Sequence, residues 1–161
     1  MLELRGIGLG WNRPPDPALE ARFPPVKAKL IGFVDPKRTQ LGLPPAPGLL
    51  PERCQLEQLF AELGHHPDAV YVVYDDEGGG WAGRMIWTLD AIGHKNYSYL
   101  NGGLHAWIAS GQSFSTEAPV VTPSEVKVKI DPLVVIELTD VLGEMDRADF
   151  VVWDARSPAE F

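Results

Sequence analysis

Apolar positions along the chain fall into three regimes. Between residues 52 and 63, Leu56, Leu59, Phe60 and Leu63 recur at i, i+3, i+4 and i+7, which predicts an amphipathic helix closed by Gly64. Residues 69–74 (AVYVVY) are an unbroken apolar, β-rich run of strand length, the kind of run that suits a strand covered on both faces. Residues 81–92 return to the helical period, with Ala82, Met85, Ile86, Leu89 and Ile92 on one face and Gly93 as the stop. Residues 97–100 read as another strand, Asn101-Gly102-Gly103 as a turn, and residues 104–110 as a short helix ended by Gly111. A short apolar run, residues 29–34, is a strand candidate before a proline-rich loop at residues 44–48. Strand and helix alternate over short loops, so the expected fold class is α/β, with a parallel sheet flanked by helices.

Outside this block the pattern weakens. Residues 1–28 combine Gly6, Gly8 and Gly10 with Pro14, Pro15, Pro17, Pro24 and Pro25 and keep no period, so an irregular leader is expected. The patterned domain covers residues 29–111, and residues 112–132 read as a linker rich in Ser, Thr, Pro and Glu. Inside the linker Val126, Val128 and Ile130 alternate with Lys127 and Lys129, which marks an edge-strand candidate. In residues 133–161 a helix is expected near residues 137–145 and a strand at residues 150–153 (FVVW). Ser157, Pro158 and Glu160 have the order of cap, first helical position and third position of a helix start. A chain that stops one turn into a new helix reads as truncated.

Composition narrows the classes. Fourteen Lys and Arg against 22 Asp and Glu give a net charge of −8, which argues against binding a nucleic-acid backbone. The chain is 45% hydrophobic, enough for a core, yet no stretch is long enough to span a bilayer. The single cysteine, Cys54, excludes an internal disulfide and favours a reducing compartment, and no apolar leader segment stands near Met1. A cytoplasmic protein without membrane or nucleic-acid partners is expected.

The segment most able to carry chemistry is Asp75-Asp76-Glu77-Gly78-Gly79-Gly80, between the end of a strand and the start of a helix, where α/β folds build sites and helix amides attract anions. Gly78, Gly80 and Gly83 match the dinucleotide spacing. Three preceding carboxylates would repel a pyrophosphate, and the next strand ends in Asn101 rather than an acid. Arg84-Met85 after Gly83 also breaks the P-loop pattern. A cation site at Asp75, Asp76 and Glu77 is outweighed by a solvated acidic turn, since three consecutive carboxylates cannot all face one ion on a simple loop. His65, His66, His94 and His105 lack metal-ligand spacing and read as surface residues. Cys54 lies in the first turn of a helix, where the dipole favours a thiolate, but it is not on a strand-to-helix loop and reads as a partly buried structural thiol. No cofactor or metal is called for.

The stretch VYVVYDDEGGGWAGRMIWTLDAIGH, followed by Tyr97-Ser98-Tyr99-Leu100-Asn101-Gly102-Gly103 and Trp107, resembles rhodanese, and within that family the non-catalytic N-terminal half of tandem-domain thiosulfate sulfurtransferases. Phe33-Val34-Asp35-Pro36 resembles the second strand, and Asp154-Ala155-Arg156 the end of the first strand of a second domain. The resemblance implies a five-stranded parallel sheet and a strand-end cysteine cradled by backbone amides. Its thiolate attacks the outer sulfur of thiosulfate, sulfite leaves, and the persulfide passes sulfur to cyanide or another thiol. Asp75 stands where that cysteine is expected, so the resemblance implies no catalytic residue in this chain, a degenerate loop at residues 75–80, and Trp107 packing a helix on the sheet. It also implies a small anionic sulfur donor such as thiosulfate as partner of the complete protein. The alternatives are a non-catalytic anion-binding or interaction module and, behind it, a Rossmann-type nucleotide binder. No first strand ending Asp-x-Arg is legible before Leu30, so residues 150–154 are expected to fill the vacant slot, within one chain or in a strand-exchanged homodimer.

Overall fold

A computed structural model describes residues 40, 42, 48–112, 120–154 and 157–159. The leader, the strand expected at residues 29–34, most of the proline-rich loop, Ala155, Arg156 and Glu160 lie outside the described residues.

Helix α1 (Arg53–Glu62) starts at Glu52, whose side chain takes the Gln55 backbone N–H while the Gln55 side chain accepts from the Glu52 N–H. This reciprocal cap satisfies two orphan donors at the first turn. Leu56, Leu59 and Phe60 are buried, the face given by the period. Strand β1 (Tyr71–Val73) follows, then helix α2 (Gly80–Ala91), strand β2 (Tyr97–Tyr99) and helix α3 (Gly103–Ala109). Strand β1 pairs in parallel with β2, Tyr71 opposite Tyr97 and Val73 opposite Tyr99, so β1–α2–β2 is one crossover unit. The fold is α/β.

Both longer helices stop the same way. Gly64 (φ 65°) donates to the Ala61 carbonyl and His65 to that of Phe60; Gly93 (φ 79°) donates to Asp90 and His94 to Leu89. Each is a paired 6→1 and 5→2 closure that needs the left-handed region glycine enters freely. As a consequence a histidine leaves the end of each helix.

The core gathers Leu56, Leu59, Phe60, Val73, Trp81, Ala82, Met85 and Leu89 with Val126 and Val128. The alternation at residues 126–130 is real, since Lys127 and Lys129 are exposed, but the segment is not an edge strand. It is a strap across the helices. Ser124 N–H donates to the Ala61 carbonyl at the end of α1, Val128 N–H to the Glu57 carboxylate, and Asp131 N–H to the Ala91 carbonyl at the end of α2. Three of its backbone donors thus go to helix ends and a side chain rather than to a neighbouring strand.

Helix α4 (Leu138–Glu144) forms where expected but buries no residue. Residues 150–153 form no strand. Val151, Val152 and Trp153 are 78%, 63% and 88% exposed, so these residues do not fill the expected slot. The pattern supplies a strand's residues, but among the described residues no sheet edge lies beside them. No helix among the described residues is long and apolar enough to cross a membrane.

Candidate functional site

The chain leaves β1 through Tyr74 and Asp75, both buried, and turns into α2 through Gly78 (φ 89°) and Gly79 (φ 102°). These two left-handed residues fold the loop back so that its amides converge on the Asp75 side chain. One carboxylate oxygen accepts from the Glu77 N–H (3.2 Å) and the Gly79 N–H (2.8 Å). The other accepts from Trp81 N–H and Ala82 N–H, both at 3.0 Å, the first donors of α2. Four backbone donors and the positive end of a 12-residue helix thus surround one carboxylate that is 2% exposed. A buried charge held this way needs no cation.

The acidic turn is therefore not a solvated one. Asp75 points inward as the ligand of the loop, Asp76 is half-buried, and Glu77 alone of the three is exposed. The loop is pinned from behind by the Asn-Gly-Gly turn. Leu104 N–H donates to the Asp75 carbonyl (3.0 Å), and His105 Nε2 donates to the Asp76 carbonyl (2.9 Å). A Cβ at Gly103 would lie 2.2 Å from the Asp75 carbonyl oxygen, so only glycine lets α3 start this close to the loop. This clamp is the part that motif spacing did not reveal; the signal was two adjacent glycines, Gly102 and Gly103, at the start of an apolar helix.

Arg84 serves the scaffold. Its guanidinium donates to the carbonyls of Gly48 and Leu49 and lies 4.6 Å over the Trp87 ring, and burial lowers its pKa.

The other candidates are not brought to the loop. Cys54 is exposed rather than partly buried, with Sγ 3.9 Å from a Glu52 carboxylate oxygen, because the first turn of α1 presents it outward. His66 and His105 are exposed, but His94 is buried and His65 half-buried, so the surface reading fails for these two. They leave the ends of α1 and α2 and meet beside Tyr71. Among the described residues no three His, Cys, Asp or Glu side chains cluster as metal ligands.

A family model described as "Rhodanese-like domain" matches residues 37–110, the stretch that holds the β1–α2–β2 unit and the Asp75 loop. Residues 37–110 are a rhodanese-like domain. It is 58% identical over 129 residues to a thiosulfate sulfurtransferase of Azotobacter vinelandii, covering 80% of this chain and 48% of that protein. A thiosulfate sulfurtransferase of Pseudomonas aeruginosa is likewise 58% identical, over 131 residues. Among solved structures, a 3-mercaptopyruvate sulfotransferase of Escherichia coli superposes with a TM-score of 0.66 at 29% identity, over 73% of this chain and 45% of that one. The chain spans about half the length of the curated relatives it matches.

Proposed function

We propose that this chain is the non-catalytic rhodanese domain of a thiosulfate sulfurtransferase, joined to the opening of a second, catalytic domain. The observation that carries the reading is the Asp75 carboxylate seated on four amides at 2.8–3.2 Å. Sulfur transfer needs a thiolate at such a place, which attacks the outer sulfur of thiosulfate, expels sulfite and holds the sulfur as a persulfide. A carboxylate is anionic already and makes no persulfide, so the cradle is complete while its nucleophile is missing. In this reading no residue of the chain is catalytic, and the loop at residues 75–80 is a degenerate active-site loop. Residues 133–161 begin the second domain, where the cysteine and the thiosulfate-binding loop belong. The exposure of Leu133, Leu142, Val151, Val152 and Trp153 supports that assignment, since these are core-forming residues without a core. The cytoplasm is the proposed compartment, on the single exposed thiol of Cys54.

A non-catalytic anion-binding module is the other reading, and the same geometry weighs against it, because an outside anion would have to displace Asp75 from all four donors. The test is thiosulfate-to-cyanide transfer by the purified chain beside its Cys54→Ser variant. No thiocyanate above the uncatalysed background is expected from either. Turnover that disappears in Cys54→Ser would overturn the proposal and make the exposed thiol the sulfur carrier.

A further inference from the structure

At the end of β1 remote from Asp75 lies a second cluster of titratable groups that sulfur chemistry does not use. His65 Nδ1 is 2.9 Å from the Tyr71 hydroxyl, and the His65 ring meets the His94 ring edge-on at 5.0 Å between centroids. Tyr71 stands edge-on to His94 at 5.1 Å, and Phe60 closes the group at 5.4 Å from His65. His94 is 7% exposed. The strap is fastened at this point: Ser124 Oγ donates to the His65 carbonyl (2.7 Å) and Ser124 N–H to the Ala61 carbonyl (3.1 Å). The Thr122 carbonyl and Val121 side chain lie against Gly64, leaving no room there for a Cβ.

Among the described residues, none offers the histidines a hydrogen-bonded counter-charge: His65 is on Tyr71, and His94 Nε2 is on the Asn96 carbonyl at 3.3 Å. From α1 the cluster is faced by Phe60, and from the following turn by His66, with Asp68 exposed beyond it. Lys95, on the loop after α2, and Asp90, in the last turn of that helix, hold each other at 2.9 Å. The strap presents the uncharged Ser124, while Glu125 and Lys127 beside it are exposed. A proton on the His65 ring therefore places a cation among aromatic faces and against a second imidazole. We propose that His65, packed against the His94 ring, forms an acid-sensitive latch, which holds the strap on the ends of α1 and α2 while the His65 ring is neutral and frees it when that ring takes up a proton.

The direction follows from linkage. Burial first, then the neighbouring His94 and His66, lowers the pKa of His65 below its ordinary 6.5. An opened strap restores the ordinary value, so the open form binds the proton more readily and gains population as pH falls below 6.5. For one proton taken up on opening, the gain reaches at most about tenfold per pH unit.

The experiment is amide exchange at Ser124 in the full chain, measured by NMR from about pH 7.5 to about pH 5.5 and expressed as protection relative to an unstructured peptide. Protection is expected to be level at the upper end and to fall progressively below 6.5. The fall should persist in His66→Gln and flatten in the His65→Gln, His94→Gln double variant. Level protection throughout in the unaltered chain, or an undiminished fall in the double variant, would overturn the latch. Should the double variant fail to fold, the His65 ring titration in the unaltered chain decides. A midpoint below 6.5 supports the proposal, and one at or above it refutes it.

Discussion

The chain contains two runs of nearly the same composition, YVVY at residues 71–74 and FVVW at residues 150–153, and they meet opposite fates. In the first, Val73 and Tyr74 are 6% and 5% exposed, β2 supplies the ladder, and α2 and the strap complete the cover. In the second, Val151 and Trp153 are 78% and 88% exposed and, among the described residues, no strand lies alongside. The difference is not in the residues. A β-rich run specifies a capacity to pair, and burial follows only where a neighbouring edge and a helix face lie within a few residues of loop. Around residue 72 both are local; around residue 151 the preceding helix, α4, buries nothing either.

The contrast predicts its own largest effect. Phe60→Ala removes a fully buried ring from the face of α1 and should cost about 3–5 kcal/mol. In a domain of this size that approaches the whole stability, so denaturant titration should show a much lower midpoint or no folded baseline. Next comes the loop. Asp75→Asn keeps the shape but turns an NH2 toward two of the four amide donors, and should cost about 2–3 kcal/mol. Asp75→Cys sharpens the functional half of the comparison, because its Sγ would take the position of the Asp75 Cγ in the middle of the amide ring. Incubation with thiosulfate should then add one sulfur atom by intact mass, with release of sulfite, while the unaltered chain gains none.

How much of this was legible in the residues depends on whether the decisive partner is near in sequence. Helices α1 and α2 run within a residue or so of the spans their periods define, because the apolar face and the terminal glycine are local to each segment. The Asp75 cradle was hidden behind its composition. Asp75, Asp76 and Glu77 read as solvated, and only the left-handed backbone at Gly78 and Gly79 turns the first of them inward. His65 and His94 were missed for a related reason. Each looks like a polar residue after a helix stop, and what buries them is their meeting across α1, α2 and the strap, a long-range event. The strap's alternation was readable, but what its backbone would bond to was not.

The alkaline limb probes the buried run from its hydroxyl side. Burial raises Tyr71 and Tyr74 from 10.0 to about 12. The unfolded chain therefore releases these protons first, so their contribution to stability is intact below pH 10.0 and is lost progressively between 10.0 and about 12. Ultraviolet phenolate titration should show Tyr71 and Tyr74 ionising late, together with loss of the folded signal. Ionisation of all four near the ordinary value, with the fold intact, would mean that the first run is less covered than the structure shows.

The smallest predicted effect is the most pointed. Trp153 is the largest apolar residue of the second run, and in a covered strand its replacement by serine would rank with the core losses above. At 88% exposure it has almost no contact surface to lose, so Trp153→Ser should change stability by no more than about 0.5 kcal/mol. It should also leave the protection of β1 and β2 unchanged. The emission of Trp153 should be red-shifted and readily quenched by iodide, whereas the 3%-exposed Trp81 is shielded. A cost near that of a core residue, or a Trp153 shielded from iodide at high chain concentration but not on dilution, would show that the second run finds a strand edge on another copy. The two runs would then differ only in whether the edge lies in the same chain. An effect within the predicted limit, independent of concentration, keeps the difference where the structure puts it: a strand-forming sequence stays uncovered where no edge lies beside it among the described residues.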